Sequence, residues 1–228
     1  MEAVGKIAEL IWIDAQPAAR ITCARRLIPG PGKYLLALAK DSEGPLASIV
    51  FAAKLLSDGL VAAPPLPGGW NPGIQLALRG PLGRGFDLPP AARRIALVAC
   101  DNDPSRLAAL LDPAFKQGAS VTLVCDNPPQ DLPLEVELQT SAAMAEVCRW
   151  ADYAAFDVER ESLPGLLGAF PAAQFRALAG AAQVLVRTPM PCGALAKCGV
   201  CTVRTSKGEK LACEDGPVFD FGRLLLER

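Results

Sequence analysis

DLPPAARRIALVAC, residues 87–100, is where the chain changes texture. Pro89 and Pro90 stop whatever precedes them, and RIALVAC (94–100) is a short β-branched apolar run of the kind buried in a parallel sheet. Four similar runs follow: SVTLVCD (120–126), LEVELQ (134–139), YAAFDV (153–158) and AQVLVRT (182–188). Helical spacing fills the gaps, in RLAALLDPAFKQG, where Pro113 should kink or split the helix, in SAAMAEVCRWA, begun by Ser141, and in a Leu/Ala-rich stretch to Gly180. Strands alternating with helices predict an open parallel α/β domain over 91–188. Upstream the runs KIAELIWI, ARITCARRLI, KYLLALA, LASIVFAA and IQLALRG are punctuated by PGPGK, DSEG, PPLPGGWNPG and GPLGRG. That pattern predicts a small antiparallel barrel or sandwich over 1–90. Residues 189–228 form a third region, so the fold class is α/β plus β.

Composition narrows the setting. The chain has 228 residues, 51% of them apolar, with 23 basic and 24 acidic side chains and a net charge of −1. Such a chain can fill a sizeable core, and it carries no electrostatic footprint for nucleic acid or an anionic membrane. Glu2, Lys6, Glu9 and Asp14 interrupt the apolar stretch a signal peptide needs, and no segment has 18 uncharged apolar residues, so the expected setting is cytoplasmic, without membrane insertion. Histidine is absent. That removes the commonest general base, Ser-His and Cys-His nucleophile pairs, His-ligated zinc and Rieske-type clusters, and leaves chemistry that thiolates, carboxylates, amides or a cofactor can carry.

Half of the eight cysteines fall in PCGALAKCGVCTVRTSKGEKLACEDGPVF (191–219), at Cys192, Cys198, Cys201 and Cys213. The spacing is C-x5-C-x2-C-x11-C. A structural zinc site usually shows two separated Cys-x2-Cys knuckles, and only Cys198 and Cys201 form one here. A plant-type [2Fe–2S] loop uses C-x4-C-x2-C with a distant fourth cysteine, and small residues let the chain wrap the cluster and aim amides at its sulfides. Gly193, Ala194, Ala196 and Gly199 supply the small residues, while Lys207 and Gly208 suggest a hairpin that returns Cys213 to the loop. The [2Fe–2S] reading leads, with zinc second; a cytosolic chain argues against disulfides.

MPCGALAKCGVCTV followed by LACEDGPVF resembles the cluster-binding segment of the electron-transfer subunit of NAD-linked dihydroorotate dehydrogenases, within the ferredoxin-reductase superfamily. RGPLGRGFDLPPAARRIALVA resembles that family's passage from flavin-binding barrel to nucleotide-binding domain, and PGKYLLAL resembles an early barrel strand. The resemblance implies a barrel for FAD, a ferredoxin-reductase-like α/β domain for NAD, and a [2Fe–2S] cluster that relays electrons from a flavoprotein partner in a hetero-oligomer of pyrimidine biosynthesis. It makes Cys192, Cys198, Cys201 and Cys213 the iron ligands; the extra residue in the first gap must bulge the loop.

Two family signals are missing. The flavin strand of the family begins with an arginine that pairs with phosphate; here GPLASIV leaves Ala47, Ser48 and Ile49 as backbone contacts for FAD, and Gly44, Pro45, Leu46 and Ala47 supply no cation. Downstream, DGLVAAPPLPGGW stands where a phosphate turn belongs, and proline has no amide to give. After RIALVAC the family has a glycine-rich turn, whereas this chain has DNDPS, with Asp101 and Asp103 where phosphates should sit. Asp103 before Pro104 reads as a helix N-cap, so NAD is not expected.

The remaining signals have ordinary readings. Cys23, Cys100, Cys125 and Cys148 read as packing thiols, and Trp12, Trp70 and Trp150 as core or domain-contact residues. GPLGRG reads as a barrel turn. Phe219 and Phe221 either cover the cluster or a partner, or form a satellite of the core. The function expected is one-electron relay with a flavoprotein subunit docked near the cluster segment, and no residue is nominated as an acid–base catalyst. The alternative is a non-catalytic subunit that keeps the architecture and uses the metal as a structural staple.

Overall fold

The computed structural model describes residues 2–13, 16–40 and 46–225. Gly44 and Pro45 of the flavin-strand stretch, the DSEG turn, Asp14 and residues 226–228 lie outside them. Six strands close an antiparallel barrel: β1 (Glu2–Ile13), β2 (Gln16–Thr22), β3 (Tyr34–Ala39), β4 (Ser48–Leu56), β5 (Gly59–Ala62) and β6 (Gln75–Leu82), in the order β1-β2-β5-β4-β3-β6. Inward side chains such as Ile7, Ile21, Leu35, Leu60, Leu76 and Leu78 alternate with outward ones and are fully buried. Trp70 plugs this core, whereas Trp12 stands 69% exposed, against the packing role read from sequence. The four-residue β5 has no counterpart among the sequence-predicted runs, because its GLVA lies between a turn and a proline cluster.

The second layer is a six-stranded sheet in the order β14-β11-β10-β7-β8-β9. Its parallel strands are β7 (Arg94–Ala99), β8 (Ser120–Val124), β9 (Val136–Gln139), β10 (Tyr153–Glu159) and β11 (Ala182–Arg187). Each meets a run expected from the apolar pattern. The inner strands are covered on both faces, which is why their runs are largely apolar, whereas β9 at the edge alternates as VELQ with only Val136 buried. One face packs Ile95, Leu97, Val121 and Leu123 against Leu107, Leu110 and α1 (Leu111–Lys116). Pro113 lies in the first turn of α1, behind a 3-10 turn at Ala108–Leu110, so the helical segment is split as expected. The other face packs Val98, Phe156, Val158 and Val184 against α2 (Met144–Trp150), α3 (Leu163–Gly168) and α4 (Ala172–Leu178). Ser141 does not cap α2; Asp126, from the loop after β8, accepts the Ser141 amide at 2.8 Å instead.

The C-terminal segment is woven into this framework. A hairpin, β12 (Thr202–Thr205) and β13 (Gly208–Leu211), leads to β14 (Val218–Asp220), which adds antiparallel to β11. Phe219 and Phe221 are buried, Phe221 stacking on Phe156 at 5.4 Å, so of the two readings the core one holds. GPLGRG is the seam between barrel and segment: Arg84 N–H donates to the Gly216 carbonyl, and its guanidinium pairs with Asp220 at 2.6 Å. A Cβ on Gly83, at φ 71°, would lie 2.5 Å from that carbonyl.

Candidate metal centre

The four cysteines are presented by one loop and one hairpin. After β11, Gly193 N–H donates to the Met190 carbonyl at 3.0 Å and Leu195 N–H to the Cys192 carbonyl at 2.9 Å, giving two successive turns. Gly193 and Ala194 occupy the left-handed region at φ 53° and 58°. This is where the loop absorbs its extra residue, and a Cβ on Gly193 would lie 2.9 Å from Leu36 Cδ1. Arg79 donates to the Gly193 carbonyl at 3.3 Å, anchoring the bulge on the barrel. Gly199, at φ 77°, turns the chain into the hairpin, closed by Thr202 Oγ1 on the Gly199 carbonyl at 2.7 Å. The hairpin register pairs Thr202 with Leu211, and Ala212 N–H reaches the Cys201 carbonyl at 2.9 Å, which sets Cys213 beside Cys201.

The thiols therefore fall into two pairs. Cys192 and Cys198 approach to 3.5 Å between sulfurs, at the surface. Cys201 and Cys213 are both buried, and each feels the other's charge. Among the described residues, no three His, Cys, Asp or Glu side chains converge on a point that would hold one metal ion. The two pairs of thiols match a two-iron centre with two thiolates per iron. Beside Cys213 lies a cavity of about 420 Å³, lined also by Leu82, Gly83, Ala194, Ala196 and Leu211 among others. The donor set and the pairing fit a [2Fe–2S] cluster.

The pairs differ electrostatically. Cys192 is pulled down to about 7, first by backbone hydrogen bonding at Ala196 and then by the Cys198 side chain. Cys213 is pushed up to about 12, by burial first and by Cys201 second. Tyr34 of β3 donates its hydroxyl to the Cys213 carbonyl at 2.9 Å; burial foremost raises its pKa. Sequence reasoning missed Tyr34, since nothing local in KYLLALA announces a partner 179 positions away.

Ala47, Ser48 and Ile49 lie at the start of β4 and are half-buried, with Ala47 and Ile49 packed on the interdomain core. β4 pairs with β3 from Ser48 and with β5 only from Ala52. The edge of Ser48–Val50 away from β3 thus has no strand partner among the described residues. The following loop offers a phosphate little: Ala63 N–H is engaged by Phe51 and the Pro64 carbonyl by Arg106. The other four cysteines sit in apolar surroundings, with Cys125 and Cys148 buried and Cys23 and Cys100 half-buried; burial pushes Cys100 and Cys148 up to about 12.

Asp101 and Asp103 are not the unpaired carboxylates that the sequence suggests. Asp103 accepts the Ser105 amide at 3.0 Å, the expected cap, and pairs with Arg106 at 2.6 Å. Asp101 pairs with Arg187 at 2.6 Å. Sequence reasoning missed both arginines.

A closed six-stranded barrel, a parallel α/β sheet and a four-thiol segment define a ferredoxin-reductase-like protein. Within it, residues 188–225 match the family described as the iron-sulfur cluster binding domain of dihydroorotate dehydrogenase B. Among solved structures, an NADH-dependent reduced ferredoxin-NADP oxidoreductase studied for flavin-based electron bifurcation aligns with a TM-score of 0.73 at 16% identity, covering 98% of this chain and 90% of its own. The ferredoxin reductase of carbazole 1,9a-dioxygenase, in FAD apo form, gives 0.58 at 16% identity, with 76% and 65% covered. The FAD/NAD-binding domain of nitric oxide dioxygenase from Vibrio cholerae O1 biovar El Tor gives 0.55 at 13% identity, with 82% and 98% covered. No curated protein sequence matches. At such identities the structural likeness establishes the fold, and the cluster-domain match speaks for the C-terminal segment.

Proposed function

We propose that this chain is an iron–sulfur electron-transfer subunit in which Cys192, Cys198, Cys201 and Cys213 hold a [2Fe–2S] cluster. The observation that carries the reading is the separation of the thiols into a surface pair, Cys192 and Cys198, and a buried pair, Cys201 and Cys213. Such a cluster supplies one-electron chemistry at a potential tuned by its surroundings. The chain's own work is positional. Cys201 and Cys213 are fixed by the hairpin and by Tyr34, while Cys192 and Cys198 stay at the surface, flanked by Leu195 and Val200, which are 77% and 42% exposed. Arg160 holds the rim by donating to the Val200 carbonyl at 2.6 Å. An apolar collar around an exposed ligand suits a transient redox partner. On this reading the partner is a flavoprotein subunit of the dihydroorotate dehydrogenase type, docked there in a hetero-oligomer.

A flavin of this chain's own, if retained, would meet the unpaired β4 edge at Ala47, Ser48 and Ile49 by backbone contacts, with a weak phosphate grip. Among the described residues no helix is long and apolar enough to cross a membrane. Thiols that must stay reduced to take iron suit the cytoplasm.

Iron, sulfide, zinc and flavin per chain decide the matter together with the visible spectrum. Two irons and two sulfides, with absorption that bleaches reversibly under dithionite, are expected. One tightly bound zinc in a colourless protein would replace relay by a structural staple. Cys201→Ser and Cys213→Ser should each lose the cluster; full occupancy in either would overturn the ligand assignment.

A further inference from the structure

In an open α/β sheet, ligands bind outside the carboxyl ends of the strands where the strand order reverses. Here the reversal falls between β7 and β10, because the chain runs from β7 outward to β8 and β9 and then returns to β10 on the other side. That crevice is stitched shut. Cys100 N–H donates to the Asp157 carbonyl at 3.0 Å, and Asp101 accepts the Glu159 amide at 2.6 Å, so the loop after β7 is held along the C-terminal end of β10. Across them run Arg106 to Asp157 at 2.7 Å, Arg187 to Asp157 at 2.8 Å, Arg187 to Asp101 at 2.6 Å, and Arg187 to Glu159 at 2.8 Å. Asp157 is 1% exposed and Arg106 5%. Burial pushes the Asp157 carboxyl up against the pull of the two guanidiniums. Arg106 also donates to the Pro64 carbonyl at 3.0 Å, which ties the α/β sheet to the barrel loop.

We infer that this crevice is closed by an ion-pair clasp of Arg106, Asp157, Arg187 and Asp101, tied to the barrel through Arg106 and the Pro64 carbonyl, that it does not admit a nicotinamide dinucleotide, and that the chain takes its electrons one at a time from the partner flavin. Four of the amides a pyrophosphate could use in this turn are already engaged. Ser105 N–H serves Asp103, Leu107 and Ala108 N–H serve the Pro104 carbonyl, Asn102 N–H serves the Ala99 carbonyl, and Pro104 has none. Four carboxylates (Asp101, Asp103, Asp157 and Glu159) against two guanidiniums (Arg106 and Arg187) leave the crevice negative toward a phosphate. A nicotinamide gives two electrons as a hydride and a [2Fe–2S] centre takes one electron and no proton, so a flavin must accept the hydride and pass its electrons on singly; here that flavin is the partner's. The inference about the electron source rests on the proposed cluster; the clasp does not.

Two measurements test it. In the full chain, NADH and NADPH titrated by fluorescence should show no saturable binding up to millimolar concentration, and neither should bleach the cluster where dithionite does. Saturable micromolar binding would overturn the clasp even if the cluster is intact. Iron and sulfide assayed on the same samples keep a failed cluster assignment distinct from a failed clasp. Hydrogen exchange supplies the second readout. Arg106→Gln, or the milder Asp103→Asn, should raise exchange of segments 63–70 and 100–107 together, by about tenfold or more, with iron content unchanged. Exchange rising in the 100–107 segment alone would show that Arg106 does not clasp the two domains. Should neither variant fold, the titration of the wild-type chain decides alone.

Discussion

At the scale of single residues, the cluster loop carries its tension at Gly193 and Ala194. An alanine in the left-handed region costs about 1–2 kcal/mol relative to a relaxed backbone. Ala194→Gly should therefore stabilise the protein by roughly 0.5–1 kcal/mol in denaturant melts, with iron content unchanged. Gly193→Val should do the reverse and expel iron, since Leu36 Cδ1 already lies 2.9 Å from the position of a Cβ and backs onto the interdomain core. Cys148→Ser makes the contrasting case. It buries a hydroxyl where a thiol packed, at about 1–3 kcal/mol, and should leave two irons per chain. Iron assays separate the two kinds of residue, and iron loss in Cys148→Ser would contradict the division of the cysteines. The sequence proposes that division because ligands of a metal loop lie close together along the chain. The partner of Asp101 is not legible, since Arg187 lies 86 positions away; Arg106 is only three residues from Asp103, but its other partner, Asp157, is 51 positions further on. An unpaired carboxylate and one half of an ion pair look alike in sequence.

At the scale of elements, apolar runs mark the inner parallel strands because burial on both faces leaves their composition little polar alternation, while the edge strand β9 alternates. β5 and β14 escape that logic. The first is short and abuts prolines, and the second reads as the tail of a metal segment until its pairing with Val184 and Leu185 is seen. Element ends depend on single side chains, and Asp152 is the clearest. Its carboxylate accepts the Arg93 and Arg94 amides at 3.0 Å and the Arg94 guanidinium at 2.6 Å, fastening the loop before β10 to the start of β7. The Arg94 side chain foremost, with the Arg93 amide next, holds the Asp152 carboxyl down at about 2. A depressed carboxylate contributes stability that is fully present above its unfolded value of about 4 and is lost as pH falls toward 2. Denaturation midpoints followed by circular dichroism should decline over that window, and Asp152→Asn should be less stable at neutral pH with a shallower acid slope. An unchanged slope would mean that other carboxylates govern acid unfolding.

At the scale of the whole molecule, barrel, sheet and cluster segment share one core. Tyr34 and Leu36 from the barrel, Val98, Phe156 and Val184 from the sheet, and Cys201, Val203 and Cys213 from the segment form a single buried cluster. The barrel therefore acts as a wall of the metal site as well as a separate layer, and Tyr34 is its point of contact with a ligand residue. Removing the hydroxyl orphans the Cys213 carbonyl in a place water does not reach easily. Tyr34→Phe should cost about 1–3 kcal/mol, with the ring packing against Phe51 retained. Because the regions share a core, unfolding should remain one cooperative event. Far-ultraviolet circular dichroism and visible cluster absorbance should then lose their signals at the same denaturant concentration, in wild type and variant alike, with both midpoints lower in Tyr34→Phe. Cluster absorbance disappearing well before the secondary structure would show that the segment stands on its own contacts, and that the barrel contributes to the fold without holding the iron.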